Sequence, residues 1–511
     1  MSGPHHLAAW LEAKSDWISP IVVKEVRQLV RGREFIYSFG ASLVAGLGVA
    51  FFGAADALTG SGTSGRWTFG ALMACLTILG VAVVPLGAFS ALRVERMEQT
   101  LELITLTALS PRRVIIGKLL AQGVKLATLF AAMAPFVAMS FLLGGIDFGT
   151  ILLALAILFM WSLWLSSGCL FISSLLTSRA VLALVFGGTI VVLLAVFGIG
   201  RMLFFFLSRG TFGVVSFSGG LFGTDFWWAM AIMTTFWIAT LANLVLLAEN
   251  RLSLVTEDRV TPLRTGFLVQ FLLLIAWVLS FINAAAGARQ DAVTALGVFG
   301  GLHLAVVAMF TVTEDLVIPR SVLLRGQARL PWRPLLAILR PGGGNGARYV
   351  LVQMVLIVAA ALMLRPSGAQ LRWLFAICGY ICFFTGVPVF AFRYLRPESR
   401  ASLKLRVAVL LTLPLSLLLP DLLHYLLWRP EMLSLNYSAR HLVNPIRTLA
   451  NWHRVETLEW FPLPFAMGLG GLVAYAALIY IGTTVSAVPA PSDHHGSPVE
   501  TGEPDRANVL Y

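Results

Sequence analysis

The chain has 511 residues, of which 58% are hydrophobic and 12% charged, and its mean hydropathy is +0.84. Soluble globular domains run at roughly 45–50% apolar and about 25% charged, so this composition excludes most cytosolic enzymes and indicates an integral membrane protein. The net charge of +12, from 37 Lys and Arg against 25 Asp and Glu, therefore reads as topology-setting charge and not as a nucleic-acid surface.

The first sixteen residues carry His5, His6, Glu12, Lys14 and Asp16 with no sustained apolar core, so no secretory signal is expected and the chain start is placed in the cytoplasm. Residues 18 to 35 then interleave Ile21, Val22, Val26, Leu29 and Val30 with Lys24, Glu25, Arg27, Gln28, Arg31 and Arg33. That period predicts an amphipathic helix lying along the inner interface.

At about 20 apolar residues per crossing, twelve spans are expected, near 36–56, 68–92, 119–143, 149–176, 180–206, 226–248, 266–286, 295–313, 349–364, 373–392, 407–427 and 462–485. The fold class is thus all-α and polytopic. With the start inside, the inner segments hold 26 of the 37 Lys and Arg, as the positive-inside rule requires. Four stretches follow: a cytoplasmic start with its amphipathic helix (1–35), a six-span core (36–264), six further spans (265–485) and a Pro-, Ser- and Gly-rich cytoplasmic tail (486–511) expected to be disordered. The inner loop 314–348 is rich in Arg, with Glu314 and Asp315 opposed, and the outer segment 428–461 carries Trp428, Tyr437, Trp452 and Trp460 as expected interfacial anchors.

Chemical motifs are sparse. GSGTSG at 60–65 matches a Gly-rich phosphate pattern but opens no βαβ unit, and Arg66 and Trp67 stand where a Walker A motif needs Lys and Ser or Thr. His441, His453, Glu456 and Glu459 lack tight metal-site spacing and read as solvated positions. Cys378 and Cys382 share a helix face as packing residues, and all four cysteines lie in apolar runs, so no disulfide framework is expected. Lys125, two turns into the third span, is expected to snorkel. Asp421 and His424, near the outer end of the eleventh span, read as solvated.

The inner segment 93–118 is different. It sets Glu95, Glu98 and Glu102 beside Arg93 and Arg96, and spaces Leu101, Ile104 and Thr105 on one helical face. Ser110 then offers an N-cap oxygen, Pro111 suits the first helical position, and Arg112 and Arg113 can anchor the third span at the headgroups.

In these two stretches the chain resembles the permease subunits of ABC-2 type transporters. The elbow helix of that family, a Pro followed by K-E-x-R-Q, is matched by Pro20, Lys24, Glu25, Arg27 and Gln28. The stretch after its second span is matched by Glu95 or Glu98, Thr100, Leu101, Glu102, Leu103, Thr107, Leu109, Ser110, Ile115, Gly117 and Lys118, with Gln99 and Ala108 departing from a Gly and a Pro. The resemblance implies an exporter permease in the cell membrane, with both termini cytoplasmic. In it, Glu95, Glu98, Thr100, Leu101, Glu102, Ser110, Pro111, Arg112, Gly117 and Lys118 form the element that docks on a separate ATPase subunit. ATP and Mg would be held by that partner, with no cofactor or catalytic residue in this chain, and a second permease copy or paralogue would complete the pore. Two other classes stay open: an ion-coupled twelve-span carrier, whose loop after the second span is usually short and of G-x-x-x-D-R-x-G-R-R character, and a polytopic membrane transferase, for which only residues 441–459 offer candidate groups.

Overall fold

The computed structural model describes residues 20–58, 64–97, 111–144, 147–175, 187–188, 224–253, 257–283, 286–314, 338–395, 405–406, 408–412, 416, 443–455 and 462–487. Among them there is helix and no strand. In hydrocarbon a helix satisfies its backbone groups within the segment, so this is the architecture that the composition demands.

Among the described residues, ten helices are long and apolar enough to cross a membrane, and each coincides with an expected span. The two other expected spans, 180–206 and 407–427, fall largely outside the described residues. The chain is therefore a polytopic membrane protein.

It divides into two compact units. The first takes in residues 1–303 with 324–331 and 357–370. Its helices are α1 (Pro20–Arg31), α2 (Arg33–Leu58), α3 (Ser64–Ile78), α4 (Val84–Met97), α5 (Pro111–Leu142), α6 (Phe148–Leu175), α7 (Thr224–Leu252), α8 (Val260–Leu279) and most of α9 (Ala286–Thr311). A π-helical turn, Leu79–Val83, joins α3 to α4. Its position fits Pro85, which lacks an N–H and crowds the preceding turn, so the wider turn accommodates the ring while the helix continues.

Apolar packing holds this unit together. Leu72, Leu76, Phe89, Met133, Val137 and Leu158 share one buried cluster across α3, α4, α5 and α6. A second, formed by Ala88, Leu92, Ile115, Leu119, Leu170 and Ala248, binds the end of α4 to the start of α5, to α6 and to α7. α6 begins at Asp147, whose carboxylate accepts from the Thr150 backbone N–H at 2.8 Å and from its hydroxyl at 2.6 Å, a helix N-cap. These bonds hold the Asp147 carboxyl below the usual carboxylate range.

The second unit comprises residues 304–323, 332–356 and 371–511. It contains most of α10 (Gly343–Met363) and α11 (Gly368–Leu395), with the short α12 (Pro445–Ala450) and α13 (Trp452–Val455) and the apolar α14 (Leu463–Ala487). α11 and α14 approach closely where Gly379 faces Gly468, since a Cβ on either would stand within about 3.0 Å of the other's Cα. Nearby, the buried hydroxyls of Thr385 and Tyr475 pair at 2.8 Å. Trp452 is not the interfacial anchor that its aromatic character suggests. It is 7% exposed, packs with Ala376 and Phe465, and lies beside Trp373, whose indole N–H donates to the Leu449 carbonyl at 3.1 Å. The rest of the expected anchor set, Trp428, Tyr437 and Trp460, lies outside the described residues.

Candidate functional site

α1 is a helix because its apolar positions recur every three to four residues with no β-branched crowding strong enough to break it. Val22, Glu25, Val26 and Leu29 form its inward stripe, while Lys24, Arg27, Gln28 and Arg31 are exposed. A carboxylate in that stripe needs a partner, because burying an unpaired charge costs far more than apolar packing returns.

The partner is Lys118. Its ammonium lies 3.1 and 3.2 Å from the two Glu25 oxygens and 2.7 Å from Glu95 Oε1, and its side chain is 2% exposed. Lys118 sits two turns into α5, and Glu95 sits near the end of α4. Three donors on one ammonium thus tie together α1, the end of the second span and the start of the third. The Leu92, Ile115 and Leu119 cluster lies on the same two helices, so the junction has an apolar backing.

The triad continues as a polar stripe on α5. Gln122 and Lys125 follow Lys118 at i+4 and i+7, on one helix face. Lys125 is 2% exposed and therefore does not snorkel, which corrects the sequence expectation. The opposing residue on α4 is Gly87, where an added Cβ would stand 3.3 Å from Lys125 Nζ and 3.4 Å from Gln122 Oε1. Glycine lets α4 pass close enough to cover the cation from lipid, which is why the ammonium need not reach the interface. Gln122 Oε1 has no hydrogen-bond partner among the described residues. Farther along α4, the Phe89 carbonyl accepts from Ser173 of α6 at 3.1 Å.

Of the residues that the sequence singles out, Glu25, Glu95 and Lys118 are brought together. Pro20 opens α1 and Pro111 opens α5. Gly117 is buried in α5; Arg112 is exposed, with its charge felt by Glu249 of α7. Lys24, Arg27 and Gln28 form a separate exposed face. Glu98, Thr100, Leu101, Glu102 and Ser110 lie outside the described residues.

A second polar junction in the other unit has no forerunner in the sequence reading. Glu314, expected as a loop charge, is 7% exposed and accepts from the Gly342 N–H at 3.1 Å, while its carbonyl accepts from the buried Arg393 at 2.6 Å. Gly342 holds φ at +116°, a backbone that favours glycine. Arg406 donates to Thr313 at 3.1 Å and lies over the Phe310 ring. The signal available beforehand was small: Glu314 and Asp315 are the acidic pair at the head of an arginine-rich loop.

No group of three or more potential metal ligands occurs among the described residues. What the first junction can do is mechanical: it transmits displacement of one helix end to two others. Comparison with protein families, curated proteins and solved structures finds nothing that matches this chain.

Proposed function

We propose that the chain is the membrane permease subunit of an ABC-type exporter, in which α1 is the elbow helix and residues 93–118 couple the membrane helices to a separate ATPase. The observation that supports this most is the Glu25, Lys118 and Glu95 junction. Its three members come from the two stretches that carry the ABC-2 resemblance, although 93 residues separate Glu25 from Lys118.

The mechanism follows from rigidity. A push delivered between Glu95 and Pro111 meets a junction of ion pairs backed by apolar packing, so α4 and α5 move with α1 and not past it. Interiors packed in this way pass on displacement instead of absorbing it. ATP and Mg belong to the partner subunit in this reading, and substrate crosses between permease subunits.

The test is reversal of the coupling carboxylates. Glu98→Lys with Glu102→Lys should leave expression and membrane insertion intact, yet weaken recovery of the ATPase and lower ATP hydrolysis by the complex, because complementary charge sets association and register. The same reversal at Glu500 and Glu503 in the tail is the control. Wild-type recovery and wild-type hydrolysis in the 98/102 variant would remove the coupling role.

A further inference from the structure

The outer face of α1 is unused by the junction. Lys24, Arg27, Gln28 and Arg31 recur at i, i+3, i+4 and i+7, so they share one exposed face. No ion pair among the described residues reaches Lys24, Arg27 or Arg31. The acidic residue of α1, Glu25, is turned inward and held by Lys118.

Beside these cations runs an open groove of about 500 Å³, where α1 lies against α5. Val22, Val26 and Val30 of α1 and Val124 of α5 form its apolar wall, with Arg27 and Arg31 on its rim. A neighbouring hollow of about 400 Å³ shares those two arginines and adds Lys24 and Gln28. The wall does not stop at the groove. Leu120, Val124, Ala127 and Ala131 are all exposed and form a continuous apolar strip along α5, leading away from the arginines toward the middle of the span.

We propose that this groove is a binding site for a single anionic phospholipid, with its phosphate held between Arg27 and Arg31 and one acyl chain laid over Val26, Val30 and Val124. The chemistry selects this occupant on two counts. A cation cluster one helical turn long, with no ion pair to it among the described residues, matches a phosphate, to which arginine donates in a fixed fork. An apolar strip that runs from the cations into the span matches an acyl chain, which a soluble anion lacks and a polar peptide could not cover. The Glu25 and Lys118 pair fixes α1 against α5 and so preserves the groove. The site depends only on α1 lying at the membrane interface and stands apart from the exporter reading.

The full-length chain, purified in neutral detergent, would be offered an equal mixture of phosphatidylglycerol and phosphatidylcholine, and retained lipids counted by native mass spectrometry. The wild type should retain phosphatidylglycerol preferentially. Arg27→Gln with Arg31→Gln should reduce that preference about thirtyfold, from the interfacial attraction expected of two basic side chains. Val124→Trp, which fills the groove and leaves every charge in place, should lower lipid retention as well, whereas Arg66→Gln should not. Glycerol phosphate, a head group without a chain, should fail to displace the lipid. A photoreactive phosphatidylglycerol should label wild-type peptides from 22–31 and 120–131, which needs no variant to fold. Unchanged preference after loss of both arginines, unchanged retention in Val124→Trp, displacement by glycerol phosphate, or labelling confined to other peptides would each overturn the proposal.

Discussion

Replacing Lys118 with methionine keeps an unbranched side chain one atom shorter and removes its charge, which leaves Glu25 and Glu95 facing one another without their cation. Removal of one partner from a buried ion pair costs about 3–5 kcal/mol. The side chains of Glu25 and Glu95 keep 11% and 15% of their exposure, so water relieves part of the penalty and the lower end, about 3 kcal/mol, is expected. The loss falls on the docking of α1, since Glu25 is the charged anchor of its inward stripe. At about 1.4 kcal/mol per tenfold, the undocked state of α1 should become roughly a hundred times more populated. Hydrogen exchange of the full-length protein in detergent reads this directly. Amides of residues 22–31 should lose about two orders of magnitude of protection, while those of α6 and α8 keep theirs. Adding Glu25→Gln and Glu95→Gln to the same variant should restore most of the protection, because no uncompensated carboxylate is then left. Wild-type exchange across 22–31 in a folded Lys118→Met protein would refute the idea that the triad holds α1.

Removing the Asp147 cap by Asp147→Ala should destabilise the start of α6 by about 1 kcal/mol, measured by thermal unfolding in detergent. Because the folded carboxyl titrates below its ordinary 3.8, the cap contributes fully above that value and is lost as pH falls through the lower folded value; the gap between wild type and variant should therefore be constant from pH 7 to 5 and close only below about pH 4. Tyr475→Phe removes a hydroxyl paired with Thr385, which keeps its second bond to the Ile381 carbonyl at 2.6 Å, so the cost should be about 1 kcal/mol. Trp452→Ala, by contrast, empties a packed site and should cost about 3–5 kcal/mol in the same assay. For topology, a cysteine replacing Arg340 should resist a membrane-impermeant thiol reagent in intact cells and one replacing Arg440 should react; equal labelling would contradict the arrangement drawn from the loop charges.

Span existence was plain in the sequence because a crossing helix demands some twenty apolar residues and little else resembles that. Span edges were less plain. Hydropathy places the start of the third span near 119, yet the helix runs unbroken from Pro111, since Arg112, Arg113 and Lys118 interrupt apolarity without interrupting helix propensity. The α1 stripe showed Glu25 as a charge among apolar positions, but periodicity cannot name a partner 93 residues away; only the motif resemblance put Glu25, Glu95 and Lys118 in one frame. Depth along a helix, which suggests snorkelling for Lys125, says nothing of what covers the side chain, and here α4 does at Gly87. For Trp452 too, aromatic character does not tell an anchor from packing; its neighbours Ala376 and Phe465 decide it.

An exporter permease should travel with its ATPase. The tagged full-length protein should be purified from its native membranes in mild detergent, and co-eluting proteins identified by mass spectrometry. A protein bearing a Walker A motif should be recovered in near-stoichiometric amount, with ATP hydrolysis in the eluate that is lost when Glu98 and Glu102 are both reversed to lysine. A folded, homogeneous preparation that brings down no ATPase and hydrolyses no ATP would contradict the exporter reading.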